Sequence, residues 1–341
     1  MTTEFKIQSI IPDKAIPGGQ VEILTEGFRP EPGQAVLCYA NGLECQVIGA
    51  STKRTMAILP DCDDSTAVVQ LETPAGESGG HVVTMGKLLA NEMHIVANPA
   101  IDPSDDALML TRSGSRGQQL PNTLYRLETD GYLDELPVEI MNPTGIAFGP
   151  SGKMYVTNRA DGSVSRIERG EEAVIVNTGL GTATGIAFDP DGQMFVGDRG
   201  GTIYRVSESG ASEPFATVEP SVAAYHLAFG PDGRLFVSSP GFWSHDAIYA
   251  VDKLGSVEQY VKGLGRPQGL AFDRDGNLYA AACYRGRHGI VKIHADSREI
   301  EPFVAGGNLV GLCFTRNGEM VVATSDAVYS LNLGIYGTLL K

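Results

Sequence analysis

Thr144-Gly-Ile-Ala-Phe148 returns as Thr184-Gly-Ile-Ala-Phe188, Tyr225-His-Leu-Ala-Phe229, Gln268-Gly-Leu-Ala-Phe272 and Val310-Gly-Leu-Cys-Phe314, and a worn copy, Ala97-Asn-Pro-Ala-Ile101, precedes them. The copies recur about every 40 residues, the period of a β-propeller in which each repeat forms one four-stranded blade. Six copies therefore predict six blades. After the apolar phrase comes a turn, Gly149-Pro-Ser-Gly152, matched by Asp189-Pro-Asp-Gly192, Gly230-Pro-Asp-Gly233, Asp273-Arg-Asp-Gly276 and Thr315-Arg-Asn-Gly318. Proline at the second position presets φ, and the closing glycine accepts positive φ. A second strand (Met154-Tyr-Val-Thr157) and a third (Val164-Ser-Arg-Ile167) follow, with equivalents in the later repeats. One blade cannot bury both of its faces, whereas stacked neighbours can, and ring closure removes most exposed edges. Either Gly337-Thr-Leu-Leu-Lys341 or Lys87-Leu-Leu-Ala90 would complete the last blade.

Upstream, residues 1–87 read as a separate all-β sandwich and residues 88–341 as the propeller. In the first unit, Ile10-Ile-Pro12 leads through Ile16-Pro-Gly-Gly-Gln20 to an apolar strand ending at Gly27-Phe28. Ala35-Val-Leu-Cys-Tyr39 and Leu43-Glu-Cys-Gln-Val-Ile48 are joined by Asn41-Gly42, a strong hairpin signal. The Pro12-x5-Gly18-Gly19 spacing, Gly27-Phe28, the Asn-Gly hairpin and Pro60 after a strand resemble the IPT/TIG family of immunoglobulin-like domains. That resemblance implies a spacer or contact module without catalytic residues. Asn142-Pro-Thr-Gly-Ile-Ala-Phe-Gly-Pro-Ser-Gly-Lys-Met-Tyr-Val156, Phe188-Asp-Pro-Asp-Gly-Gln-Met-Phe-Val-Gly-Asp198 and Arg266-Pro-Gln-Gly-Leu-Ala-Phe-Asp273 resemble NHL-repeat propellers and the SMP-30/gluconolactonase superfamily. The fold expected is thus an immunoglobulin-like sandwich plus a six-bladed propeller.

The net charge of −15 disfavours nucleic acid, because no basic stripe is available for counterion release. No apolar run reaches the length of a membrane span, so no membrane partner is expected. Met1-Thr-Thr-Glu-Phe-Lys6 lacks the pattern of a signal peptide, which sets a cytoplasmic expectation. Five scattered cysteines, without a CxxC pair, fit a reducing compartment and free thiols. Cys38 and Cys45 would face each other across the Asn-Gly hairpin.

Antiparallel geometry places the Gly-Pro-x-Gly turns on one rim of the ring. The strand-one starts and the segments after strand two lie on the other. The second rim is irregular and rich in arginine. Its candidate ligand-binding residues are Arg112, Arg116, Asn158, Arg159, Asp198, Arg199, His226, Trp243, Gln268 and Arg285, with Arg266 and Arg287 nearby. Guanidinium forks match carboxylates and phosphates, so the expected ligand is a small anion or an acidic protein segment. The competing reading pairs each arginine with Asp161, Asp198 or Asp246 to stitch blades together. His226 stands where four other blades carry glycine, which sets it near the channel mouth.

The gluconolactonase resemblance implies a divalent ion held by a carboxylate and by Asn or Asp at the strand-one starts. Here those positions read Ala97 or Asn98, Thr144, Thr184, Tyr225, Gln268 and Val310, which leaves no carboxylate for a hard cation. No metal ligand, catalytic residue or cofactor is therefore assigned. A calcium-like ion enters only under the alternative of a lactone hydrolase with a rearranged metal site. The leading expectation is a non-enzymatic binding module; a structural subunit of an assembly is the third reading, and self-association stays open.

Overall fold

The computed structural model describes residues 5–30, 33–114, 118–168, 171–241 and 245–338. Among them the chain is all-β, and no helix is long and apolar enough to cross a membrane. Five four-stranded antiparallel units follow one another from residue 100 to residue 305, and residues 309–332 form a sixth together with Lys87–Ala90. Blade two shows the pattern: Pro143–Phe148, Met154–Asn158, Ser163–Ile167 and Val174–Asn177 pair in chain order. The expected tight turn joins the first two strands, with the Gly152 amide donating to Gly149 O at 2.9 Å and Gly152 at φ +75°. Residues from the first strands of all six blades line one axial cavity, so the blades stand around a common axis as in a β-propeller.

Apolar clusters fill the spaces between neighbouring blades. Phe236 meets Phe272 edge-to-face at 4.8 Å between blades four and five, and Tyr279 meets Phe314 at 5.2 Å between blades five and six. Leu108 and Leu110 of blade one share a cluster with Val321 and Ala323 of blade six, which closes the ring. Of the two closing strands left open by the sequence, Lys87–Ala90 takes the place, pairing antiparallel with Val328–Asn332. Gly337 makes only an isolated bridge to Asp273, and residues 339–341 lie outside the described residues.

The amino-terminal residues form two sheets that share one apolar cluster, including Ile10, Val21, Ile23, Phe28, Val69, Leu71 and Met85. In-and-out alternation is clean in Thr66–Thr73, where Ala67, Val69 and Leu71 are buried and their neighbours face solvent. Asn41 and Gly42 both take positive φ, as a tight two-residue hairpin requires. The second arm of that hairpin is shorter than expected. Leu43–Glu44 pairs with Leu37–Ala40, then the chain crosses at Cys45 and Gln46–Ala50 joins the other sheet against Arg54–Ile58. Cys38 and Cys45 lie opposite one another, and all five thiols are free.

The two-sheet unit is not held by a linker alone. Lys14–Ala15 runs parallel to the outer strand of blade five, Ile300–Ala305, and joins it to His81–Met85. A single sheet therefore continues from blade five into the amino-terminal unit. The Ile16 amide donates to Ala305 O at 2.9 Å, and the Ile16 side chain, 1% exposed, is buried with Tyr279 and Leu312 of blades five and six. Arg287 of blade five pairs with Glu22.

Candidate functional site: an arginine-lined mouth of the central channel

A cavity of about 470 Å³ opens at the end of the axis where the first strands begin. Arg159 comes from the segment after strand two of blade two, and Arg199 from the matching place in blade three. Arg266 and Gln268 come from the approach to blade five. His94, His288, Cys283, Thr184, Asn308 and Ser325 also line it, and no Asp or Glu is among the lining residues.

Two of the three guanidinium groups are held by backbone carbonyls. Arg159 Nη2 donates to Gly114 O at 2.9 Å, and Arg199 Nη2 donates to Val222 O at 2.8 Å. Arg266 sits at φ +49°, and its amide donates to Asp246 Oδ2 at 3.1 Å. Among the described residues, none of the three guanidinium groups pairs with an acid, and buried Arg199 Nε has no partner. Burial, and then the neighbouring Arg199 charge, hold Arg159 below the ordinary arginine range. Five N–H donors per guanidinium leave most of this donor set unmatched.

The acids proposed to stitch the blades have other work. Asp161 accepts the Ser163 amide at 2.9 Å, and Asp198 accepts the Thr182 amide at 2.7 Å. Asp246 accepts the Gly241 and Arg266 amides. Arg205, on the strand beside Asp198, lies over Phe215 at 4.7 Å and pairs with Glu213.

Of the candidate residues, the structure brings Arg159, Arg199 and Gln268 to one cavity. Arg112 lies outside its lining and donates to Tyr125 Oη at 3.2 Å. Asn158 caps the Ala160 amide, and Asp198 caps its own loop. Arg285 sits in the turn of a hairpin, stacked on Tyr284. His226 is not among the residues lining this cavity and lines a second one further along the axis. Arg116 and Trp243 lie outside the described residues. Sequence reading passed over His94, His288 and Cys283. Cys283 and His288 are cross-strand partners, but that pairing points at the channel only once the ring is closed.

These residues do not suit a hard divalent cation. Asn98 Oδ1 accepts the Leu312 amide at 3.0 Å while its Nδ2 donates to Leu270 O at 3.1 Å, so both ends are engaged. Among the described residues no group of three His, Cys, Asp or Glu side chains is clustered as a metal site needs, and three cationic groups face the cavity.

No family model matches the chain, and no curated protein is similar to it in sequence. Solved structures share its fold. A putative gluconolactonase is 18% identical over 74% of this chain and 93% of its own, at a TM-score of 0.60. An auxiliary nutrient binding protein from Bacteroides thetaiotaomicron is 13% identical over 96% of this chain and 97% of its own, at 0.57. Virginiamycin B lyase from Staphylococcus aureus is 14% identical over 73% of this chain and 98% of its own, at 0.53. The fold common to these proteins carries binding and catalysis alike, so it does not select between them.

Proposed function

We propose that the chain is a non-enzymatic binding protein whose arginine-lined channel mouth takes a small anion carrying carboxylate or phosphate groups. One observation carries this reading: Arg159, Arg199 and Arg266 line a single cavity without an acid among its lining residues, in a chain of net charge −15. Like charges held together at partial burial destabilise one another, and a bound anion relieves that repulsion while filling unmatched donors. A volume of about 470 Å³ suits a small molecule or the acidic end of a segment better than a long peptide. The amino-terminal unit is, in this reading, an immunoglobulin-like module of IPT/TIG type that serves as a spacer or protein contact, and the ring is of NHL or gluconolactonase type. Five free thiols support a cytoplasmic setting.

Calorimetric titration with phosphate and with succinate tests the site. Saturable binding is expected, weakened at least about 10-fold in an Arg159→Gln/Arg199→Gln variant, since hydrogen bonds to charged groups contribute about 1.5–3 kcal/mol each. Equal affinity in the variant would refute the reading.

A further inference from the structure

The cations of the mouth are not spread evenly around it. Arg159 and Arg199 come from blades two and three, which are neighbours, and the Arg199 charge is felt at Arg159. Arg266 and Gln268 come from the approach to blade five, and His288 from the start of its third strand. In a ring of six blades the fifth stands across the axis from the second. The cavity therefore has two polar ends, one built by blades two and three and the other by blade five.

The wall between these ends carries no Lys, Arg, Asp or Glu. On the side of blade four it is apolar, formed by Val222, Ala223 and Ala224. On the side of blades six and one, Leu309 and Val310 stand with His94, Asn308 and Ser325. Thr184, next to the first end, has no proton left for an anion, because its hydroxyl donates to Gly197 O at 3.2 Å. Arg159 and Arg199 each spend one Nη2 donor on a backbone carbonyl, out of five per guanidinium. Among the described residues, the Arg266 guanidinium has neither a carbonyl nor a carboxylate partner.

A monoanion neutralises one end and leaves the other charged and open. An anion with two acid groups reaches both, and its second contact forms at the high local concentration set by the spacer. We propose that the mouth takes a short α,ω-dicarboxylate, with one carboxylate between Arg159 and Arg199, the other at Arg266 and Gln268, and the methylene spacer against Val222, Ala223 and Ala224. The inference rests on the anion-binding reading above and goes beyond it in fixing the number and separation of the acid groups. Planar guanidinium forks match carboxylate geometry. An apolar flank favours methylene groups over polar linking atoms, whose burial without a hydrogen bond is costly.

Succinate, glutarate and adipate are titrated into the full chain by calorimetry at fixed ionic strength, each beside the monocarboxylate of equal carbon number: butyrate, pentanoate and hexanoate. At the best-fitting length the dicarboxylate is expected to bind at least about 10-fold tighter than its monocarboxylate partner. Arg266→Gln should abolish that preference while leaving monocarboxylate affinity and the melting temperature unchanged. Arg159→Gln/Arg199→Gln should weaken both classes. Equal affinity of the two classes at every length, or a preference that survives Arg266→Gln, would overturn the two-ended site and leave the single-anion reading standing. Absence of saturable binding by any carboxylate would overturn it as well, and phosphate, titrated alongside, then decides whether the single-anion reading survives.

Discussion

Cys283 is the one thiol of the five that is not buried, and it lines the arginine cavity. An anion held by Arg159 and Arg199 would cover it. Saturating phosphate is expected to slow iodoacetamide alkylation of Cys283 several-fold in the wild type and to have no effect in Arg159→Gln/Arg199→Gln, read by peptide mass spectrometry. His226 makes a different statement. Its folded value, about 4, lies below its ordinary 6.5 because burial disfavours the charged form. The unfolded chain therefore binds a proton first as pH falls. The contribution of His226 is intact above about pH 6.5 and erodes toward pH 4, by roughly 2–3 kcal/mol at pH 4.5. Other groups also titrate there, so the measured quantity is a difference. Relative to His226→Phe, wild type should lose urea stability between pH 7 and 4.5; parallel curves would show that His226 is solvated or partnered.

At the level of the strand, the repeat phrase is legible because its residues are buried on both faces. The first strand of blade three, Ala183–Phe188, is buried at all but its last position. The fourth strands of blades two and three are not legible, because they face solvent: Val174–Asn177 has no buried residue and Ser212–Thr217 has one. Glycine in the first strand is a packing requirement. A Cβ on Gly145 would stand 2.4 Å from Thr184 O, which is backbone and cannot swing away. Gly145→Ala is expected to cost about 1–3 kcal/mol through forced separation of blades two and three. Gly49→Ala, with open space around its Cβ, should be near neutral. Equal melting temperatures for the two variants would show that the ring absorbs the added methyl freely.

Across the whole molecule, the amino-terminal unit and the ring share a sheet and a buried side chain. Lys14–Ala15 bridges Ile300–Ala305, and Ile16 is packed among residues of blades five and six. Lys87–Ala90 then carries the chain back to complete blade six, so the two units are tied at two places. One cooperative thermal transition is expected for the native chain. Ile16→Asp buries a charge without a partner, which costs several kcal/mol. It should undock the first unit and divide the transition into two by scanning calorimetry; a single, merely lowered transition would place the coupling elsewhere.

The six-fold phrase, its turns and the Asn41-Gly42 hairpin are local signals. Period, φ preference and alternation act within a few residues, so the chain announces a ring of blades and an all-β leader without any partner in view. Arginine enrichment on one rim was legible for the same reason. Which arginines meet was not. Arg159, Arg199 and Arg266 belong to segments separated by about 40 residues or more, and they converge only when six blades close around an axis. Pairing of Lys14–Ala15 with blade five, the choice of Lys87–Ala90 as closing strand and the placing of His226 on the second cavity are likewise long-range outcomes. Two- to four-residue strands carry too little pattern to name their partners, and their pairing is decided by which edge the assembled fold leaves open.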